Sequence, residues 1–243
     1  MELDLDSFFS LRESDDFVIA DSEKVILKFL KFSKLKPISI LISQSLRSKR
    51  ELFTAFDTVH FVDDIIFKER PGLKFHKGII AKFSKPKILD VKDLNESFFF
   101  LNGLTSPENV GSIIRTLAGL GIKNIVFDSK TCNPFLRRCI RVSMGNIVFL
   151  NVFKVRSFED MSFDQFEIYS TGNEQRSILI NDWKPRLPFG VVIGSEGHGV
   201  DKEFATKCFG NIKIPILENV QHLNASNAAS ILAFKSSELL NLF

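Results

Sequence analysis

The sequence predicts an α/β fold in two parts, a small α/β unit followed by a larger domain built on a parallel sheet. Two observations carry this. From FFFLNGL (98–104) onward, short apolar runs alternate with helical stretches over short connections, the pattern of strand–helix–strand crossovers. Upstream, a separate set of strand-like and helical segments is set off by SKPKILDVKDLNES (84–97), which is polar and contains proline. The expected boundaries are 1–88 for the first domain, 89–97 for a linker and 98–243 for the second domain. The order of the acidic segment 1–16 is left open. At 243 residues and 44% hydrophobic content, the chain is long enough to bury its cores without cross-links.

In the first domain FVIA (17–20) reads as a strand, and Ser22 as the cap of a helix through EKVILKFLKF, whose apolar residues recur at helical spacing. ISILIS (38–43) is a buried strand, followed by a charged helix around SLRSKRELFTAF and a short strand VHFV (59–62). KFHKGIIAKF (74–83) is the last strand, with Gly78 at a bulge or a close backbone approach. In the second domain KNIVFD (123–128), NIVFLNVF (146–153), FEIYST (166–171), FGVVIG (189–194) and NIKIPI (211–216) read as strands. Residues 109–120, 134–142 and 225–240 read as helices. Ligands of such sheets bind beyond the carboxyl ends of the strands.

Composition narrows the functional classes. The 26 Phe residues, against one Trp and one Tyr, are expected to pack the core rather than stack on bases. Cys132, Cys139 and Cys208 form no CxxC pair and read as free thiols of a reducing compartment. His60, His76, His198 and His222 are scattered, so no metal is expected. The acidic start lacks a basic n-region, and no uncharged apolar run approaches the ~20 residues of a membrane span. A soluble, cytoplasmic protein with no membrane partner is expected. The formal net charge of +3 hides an asymmetry: residues 21–90 hold fifteen Lys/Arg against eight Asp/Glu. A solvated lysine-rich surface accounts for that stretch, and so does a module that releases counterions from a polyanion.

Three segments carry residues suited to chemistry. In LTSPENVGSIIRTLAGLGI (104–122), Asn109 is a candidate helix N-cap and Arg115 interrupts an apolar helical run. Such an Arg either snorkels to solvent or turns inward onto a phosphate or carboxylate. In FGVVIGSEGHGV (189–200), the glycines at 194, 197 and 199 let backbone amides approach a ligand, and Glu196 stands among them. That carboxylate disfavours a dinucleotide, whose phosphates it repels, and the spacing is neither G-x-G-x-x-G nor a Walker loop. In KIPILENVQHLNASNAASIL (213–232), Asn224 is a candidate N-cap, and the small residues after it leave room for a flat or compact ligand.

In order and spacing these segments resemble the three motifs of the SpoU-type, TrmH-like methyltransferases of the SPOUT superfamily. Asn109 and Arg115 match the first motif, Gly194, Glu196 and Gly199 the second, and Ile214-Pro215 with Leu223-Asn224 the third. Ser143 and Gly145 in VSMGN resemble a further family element, and the likeness spans about residues 98–243. FVIADSEKVILKFL and HKGIIAKF resemble the L30e-like substrate-binding domain that precedes the catalytic domain in many members.

The resemblance implies a trefoil-knotted parallel-sheet domain, a homodimer with its active site at the protomer interface, and S-adenosyl-L-methionine (SAM) as cofactor. Gly194, Ile214, Leu223 and Gly199 are the implied cofactor contacts. Asn109, Arg115, Glu196 and Asn224 are the implied catalytic set for methylation of an RNA ribose 2′-hydroxyl, with ribosomal RNA favoured over transfer RNA. One position departs from the pattern, since His222 stands where the third motif usually has Ser. Two other readings stay open on sequence: a SPOUT-fold RNA-binding or ribosome-assembly protein without catalysis, and a dinucleotide enzyme using the Gly194–Gly199 turn.

Overall fold

The structure is a computed structural model that describes residues 4–69, 77–156, 160–161, 164–172, 174, 176–195, 197–217, 219–220 and 222–243. Two compact units emerge, Met1–Lys87 with Phe135–Phe149, and Ile88–Pro134 with Leu150–Phe243.

The first unit is a mixed four-stranded sheet of β1 (Phe17–Asp21), β2 (Pro37–Ser43), β3 (Thr58–Val62) and β4 (Ile79–Ser84) in the order β1-β4-β2-β3. β4 runs antiparallel to β1 and β2, while β2 and β3 are parallel. Alternation along the strands sends Ile19, Leu41 and Ile80 to one face, under Phe8 and Phe9 of α1 (Leu5–Phe9) and Phe67 of α3 (Asp64–Lys68). On the other face Phe83 packs against Phe29 of α2 (Glu23–Phe32) and against Phe56. Phenylalanine therefore fills the core, as its abundance suggests.

Local chemistry overrides several sequence expectations. Ser22 makes no side-chain cap; with φ at 76° its N–H donates to Ile79 O and its carbonyl accepts from Ile26 N–H, so backbone bonds start α2. Gln44–Phe53 winds as a 3-10 segment with a kink at Leu46 instead of an α-helix. There Ser43 Oγ and Ser45 N–H both bond the Asp64 carboxylate, a side-chain competition that serine-rich starts invite. Gly78 is a close approach, because a Cβ there would lie 2.9 Å from Leu46 Cδ1. Of the expected strand 74–83, residues 74–76 lie outside the described residues.

The segment Phe135–Phe149 joins this unit through α5 (Arg137–Val142). Arg137, 5% exposed, forks onto Asp21 at 2.7 and 2.8 Å and donates to the carbonyls of Phe8 (3.1 Å) and Ser10 (3.4 Å). Lys28 Nζ donates to Met144 O at 2.8 Å and to Asn146 Oδ1. Residues 146–149, read as the first half of a strand, form a 3-10 turn here instead.

Among the described residues the second unit holds eight strands, all parallel. They are β5 (Leu89–Asp90), β6 (Phe98–Asn102), β7 (Asn124–Phe127), β8 (Asn151–Lys154), β9 (Glu167–Thr171), β10 (Ile178–Leu179), β11 (Phe189–Gly194) and β12 (Gly210–Lys213). Their order is β10-β12-β9-β11-β6-β7-β8-β5. β6, β7 and the first five residues of β11 are buried throughout, the signature of strands covered on both faces. Phe98, Phe100, Val126, Phe153, Ile168 and Val192 share one core with Phe204 of α6 (Lys202–Lys207). α4 (Pro107–Gly119) and α7 (Ala225–Leu239) pack together, with Thr116 Oγ1 and Ser230 Oγ 3.2 Å apart and Ser237 Oγ donating to Leu120 O at 2.8 Å. The stretch read as a linker, 89–97, carries β5 and a 3-10 turn capped by Asp90. Among the described residues no helix is long and apolar enough to cross a membrane.

Candidate cofactor and catalytic site

Strand order reverses between β6, which leads to β7 on one side, and β11, whose other neighbour is β9. Such reversals open a crevice at the carboxyl ends of the strands. A cavity of about 500 Å³ lies there, within the size range of small-molecule sites. Its walls are Thr171 and Gly172 at the end of β9, Gly194 and Ser195 at the end of β11 with Gly197, His198, Gly199 and Val200 beyond, Ile214 after β12, and Leu223 with Ala225 and Ala228 at the start of α7.

The turn after β11 is held by a two-bond bridge, Ser195 N–H to Gly199 O at 3.1 Å and Gly199 N–H to Ser195 O at 2.9 Å. Gly194 must be glycine. A Cβ there would stand 2.1 Å from Gly199 C and 2.3 Å from Val200 N, so backbone crosses where a side chain would sit.

All four residues expected to contact a cofactor, Gly194, Gly199, Ile214 and Leu223, line this one cavity. His222 lines it too, as do His198 and Lys202, which the sequence reading did not single out. Thr171 and Gly172 were also missed as wall residues; their place at a strand's carboxyl end was the available signal.

The helix termini bring two of the expected catalytic residues together. Asn224 caps α7, its Oδ1 accepting from Ser226 N–H at 2.9 Å and from Ser226 Oγ at 2.6 Å. Its Nδ2 donates to Asn109 Oδ1 at 3.1 Å, across 115 residues of sequence. Asn109 itself is not the cap of α4. Ser106 takes that position, accepting from Asn109 N–H at 3.4 Å, with Pro107 opening the helix where a missing N–H costs nothing. The side chain of Asn109 instead meets α7.

Arg115 is exposed on α4, six residues beyond Asn109. Ideal geometry separates the two by about 9 Å along the axis and about 120° around it. The side chain of Arg115 makes no hydrogen bond or ion pair with any other described residue, and Glu196 lies outside the described residues. No group of three His, Cys, Asp or Glu side chains among the described residues could hold a metal ion.

The model of the SpoU rRNA Methylase family matches residues 96–234, which include the cavity, α4 and the start of α7. YacO of Bacillus subtilis, assigned to the TrmH family of tRNA/rRNA methyltransferases, is 31% identical over 173 residues, 66% of this chain and 69% of that protein. Among solved structures, the SpoU methyltransferase AviRb of Streptomyces viridochromogenes superposes with a TM-score of 0.80 at 20% identity, covering 93% of this chain and 90% of its own. AviRb has also been solved in complex with AdoMet. An rRNA methyltransferase of Sinorhizobium meliloti gives 0.77 at 18% identity over 92% and 88% of the two chains. These structural likenesses establish the fold, and the family match extends over more than half of the sequence: the chain belongs to the SpoU rRNA methylase family.

Proposed function

We propose that the protein methylates a ribose 2′-hydroxyl of RNA, with ribosomal RNA favoured over transfer RNA, using SAM bound in the cavity beside Gly194. The observation that carries this reading is the meeting of the Asn109–Asn224 bond with that cavity, since Asn224 directly follows the wall residue Leu223. The cavity fits the cofactor: it is mixed in polarity, walled by glycines and small alanines, and large enough for a nucleoside with an amino-acid tail.

SAM supplies an activated methyl group on a sulfonium, so the chain must position the acceptor and stabilise its developing charge. Asn224 fixes the start of α7 and, through Asn109, the first turn of α4. Arg115 holds the phosphate beside the target ribose, favouring loss of the 2′-hydroxyl proton as the O–CH₃ bond forms. Positioning suits this guanidinium better than base catalysis, given a pKa above ~12.

Arg115 points away from Asn109 around α4, so the RNA side of the site is completed by a second protomer. Support for a homodimer comes from apolar surface on α7 and the C-terminus, where Phe234 (51% exposed) stacks on Phe243 (73% exposed) beside exposed Ile231 and Leu242. The basic bias of residues 21–90 supports an RNA-gripping role for the first unit.

The test is transfer of tritium from labelled SAM to total RNA lacking this modification, with Arg115→Ala as control. Label at one site resistant to alkaline cleavage is the expected result. SAM binding without transfer to any RNA overturns the catalytic reading and favours an RNA-binding role, for which His222 in the cavity wall would be the motive.

A further inference from the structure

One wall of the cavity is held by a buried carboxamide that does not itself line it. Asn102, the last residue of β6, is 3% exposed and pairs in register with Gly194 of β11. Its Nδ2 donates to Asp128 Oδ2 at 2.8 Å and to Asp201 Oδ2 at 3.2 Å, and its Oδ1 accepts from Asp201 N–H at 2.8 Å. Asp128, one residue past β7, also accepts from the N–H groups of Gly103 (3.1 Å) and Thr131 (2.7 Å). Lys130 Nζ reaches Asp201 at 2.9 Å.

The bond to Asp201 N–H fixes the chain directly after Gly199 and Val200, the residues that cross over Gly194 and form cavity wall. On its other side Asn102 leads through Gly103 into the loop that ends at Ser106, the cap of α4. One side chain therefore ties together the turn after β11, the approach to α4 and the end of β7.

We propose that Asn102 is a positioning residue for the cofactor cavity, required as a carboxamide because it must donate to two carboxylates while accepting from a backbone N–H. This inference rests on the SAM reading above. An Asp at 102 has the same shape but places a third carboxylate within hydrogen-bond distance of two others. Both donated bonds become repulsive contacts, and the 199–201 crossing is released from Gly194. Exchanging the roles restores one of them: in N102D/D201N a carboxylate at 102 faces a carboxamide at 201 that donates to it.

The experiment measures SAM affinity by calorimetry, thermal unfolding, and the KM for SAM and kcat of methyl transfer to total RNA lacking the modification. In N102D, SAM affinity and KM are expected to worsen about tenfold or more, with kcat at saturating SAM within about threefold of wild type. The swap N102D/D201N is expected to recover affinity to within about threefold of wild type. A purely structural role would instead lower the unfolding temperature and kcat with KM unchanged. N102D that binds SAM within about twofold of wild type overturns the proposal, as does a folded swap that shows no recovery. If N102D does not fold, the swap alone decides. Wild-type protein that binds no SAM overturns the cofactor reading and this inference with it, a result obtained before any variant is made.

Discussion

Gly194→Ala isolates the crossing at the heart of the cavity. The added Cβ would meet Gly199 C at 2.1 Å, Val200 N at 2.3 Å and Gly199 O at 2.4 Å, all backbone atoms that have no rotamer to escape into. Contacts under 3.0 Å are essentially unknown for Cβ, so residues 199–200 must retreat by about 1 Å. Overpacking of this kind costs roughly 1–3 kcal/mol. The retreat also stretches the two Ser195–Gly199 bonds, at about 0.5–1.5 kcal/mol each where lost. A loss of roughly 2–4 kcal/mol in a chain of this size lowers Tm by about 4–16 °C. SAM affinity should fall at least about tenfold, because the displaced residues are cavity wall. Gly197→Ala, in the same turn, meets nothing within 4 Å and serves as the control for Tm, while affinity is compared for G194A alone because Gly197 also lines the cavity. Thermal unfolding of both variants and SAM titration of G194A decide the matter. G194A with unchanged Tm and affinity, or G197A lowering Tm as much as G194A, would refute the crossing as the reason for glycine.

Three further outcomes are expected. Arg115→Ala should lower methyl transfer by about a hundredfold or more while SAM affinity stays within about twofold, since Arg115 lies outside the cavity wall; Arg115→Lys, lacking the fork, should not restore it. Asn224→Ala should cost about 0.5–2 kcal/mol as a lost cap, whereas Asn224→Ser keeps the cap and loses the bond to Asn109; loss of kcat in the serine variant at near-normal Tm would assign the bridge to catalysis. Lys130's ammonium, with help from Asn102, holds the Asp201 carboxyl below the usual carboxylate range. That contribution is complete above about pH 4 and lost as pH falls through the depressed value, so titration of Asp201 should leave SAM affinity flat from pH 5 to 8 (an affinity that declines over that range in wild type but not in D201N would contradict it).

The parts of the molecule legible in the sequence are those written as local pattern. Runs such as FFFLN and FGVVIG announce strands covered on both sides, and two of the residues singled out near strand ends, Gly194 and Leu223, line one cavity. Asn224 was readable as a cap because capping is decided within three residues. The misassigned cap of α4 was also local: Pro107 marks the first helical residue, which puts Ser106 before it and Asn109 inside. The Asn102 network had no such signature. Its partners stand 26 and 99 residues away, and nothing in L-N-G distinguishes a buried hub from an ordinary strand end. Likewise the 3-10 path of Gln44–Phe53 depends on Asp64, about twenty residues on, which no propensity of the segment itself encodes.

The pairing of Arg137 with Asp21 has a consequence for dissecting the two units. Residues 135–149 lie between β7 and β8 in sequence, yet they belong to the unit built from residues 1–87. A chain truncated to begin at residue 88 keeps that segment but loses Asp21 and the carbonyls of Phe8 and Ser10, the acceptors of the Arg137 guanidinium. It also uncovers Cys139, Ile140 and Ile147, each at most 1% exposed in the full chain. Breaking a buried pair by removing one partner costs about 3–5 kcal/mol, so Asp21→Asn in the full chain should lower stability to urea by about that amount. Replacing both partners with apolar residues, Asp21→Leu with Arg137→Met, should recover most of it, because the penalty lies in the orphaned charge. Chains starting at residue 88 should be poorly soluble, and adding Cys139→Ser, Ile140→Ser and Ile147→Ser should restore solubility. A truncated chain that is soluble and monomeric without those changes would show that residues 135–149 do not depend on the first unit for their fold.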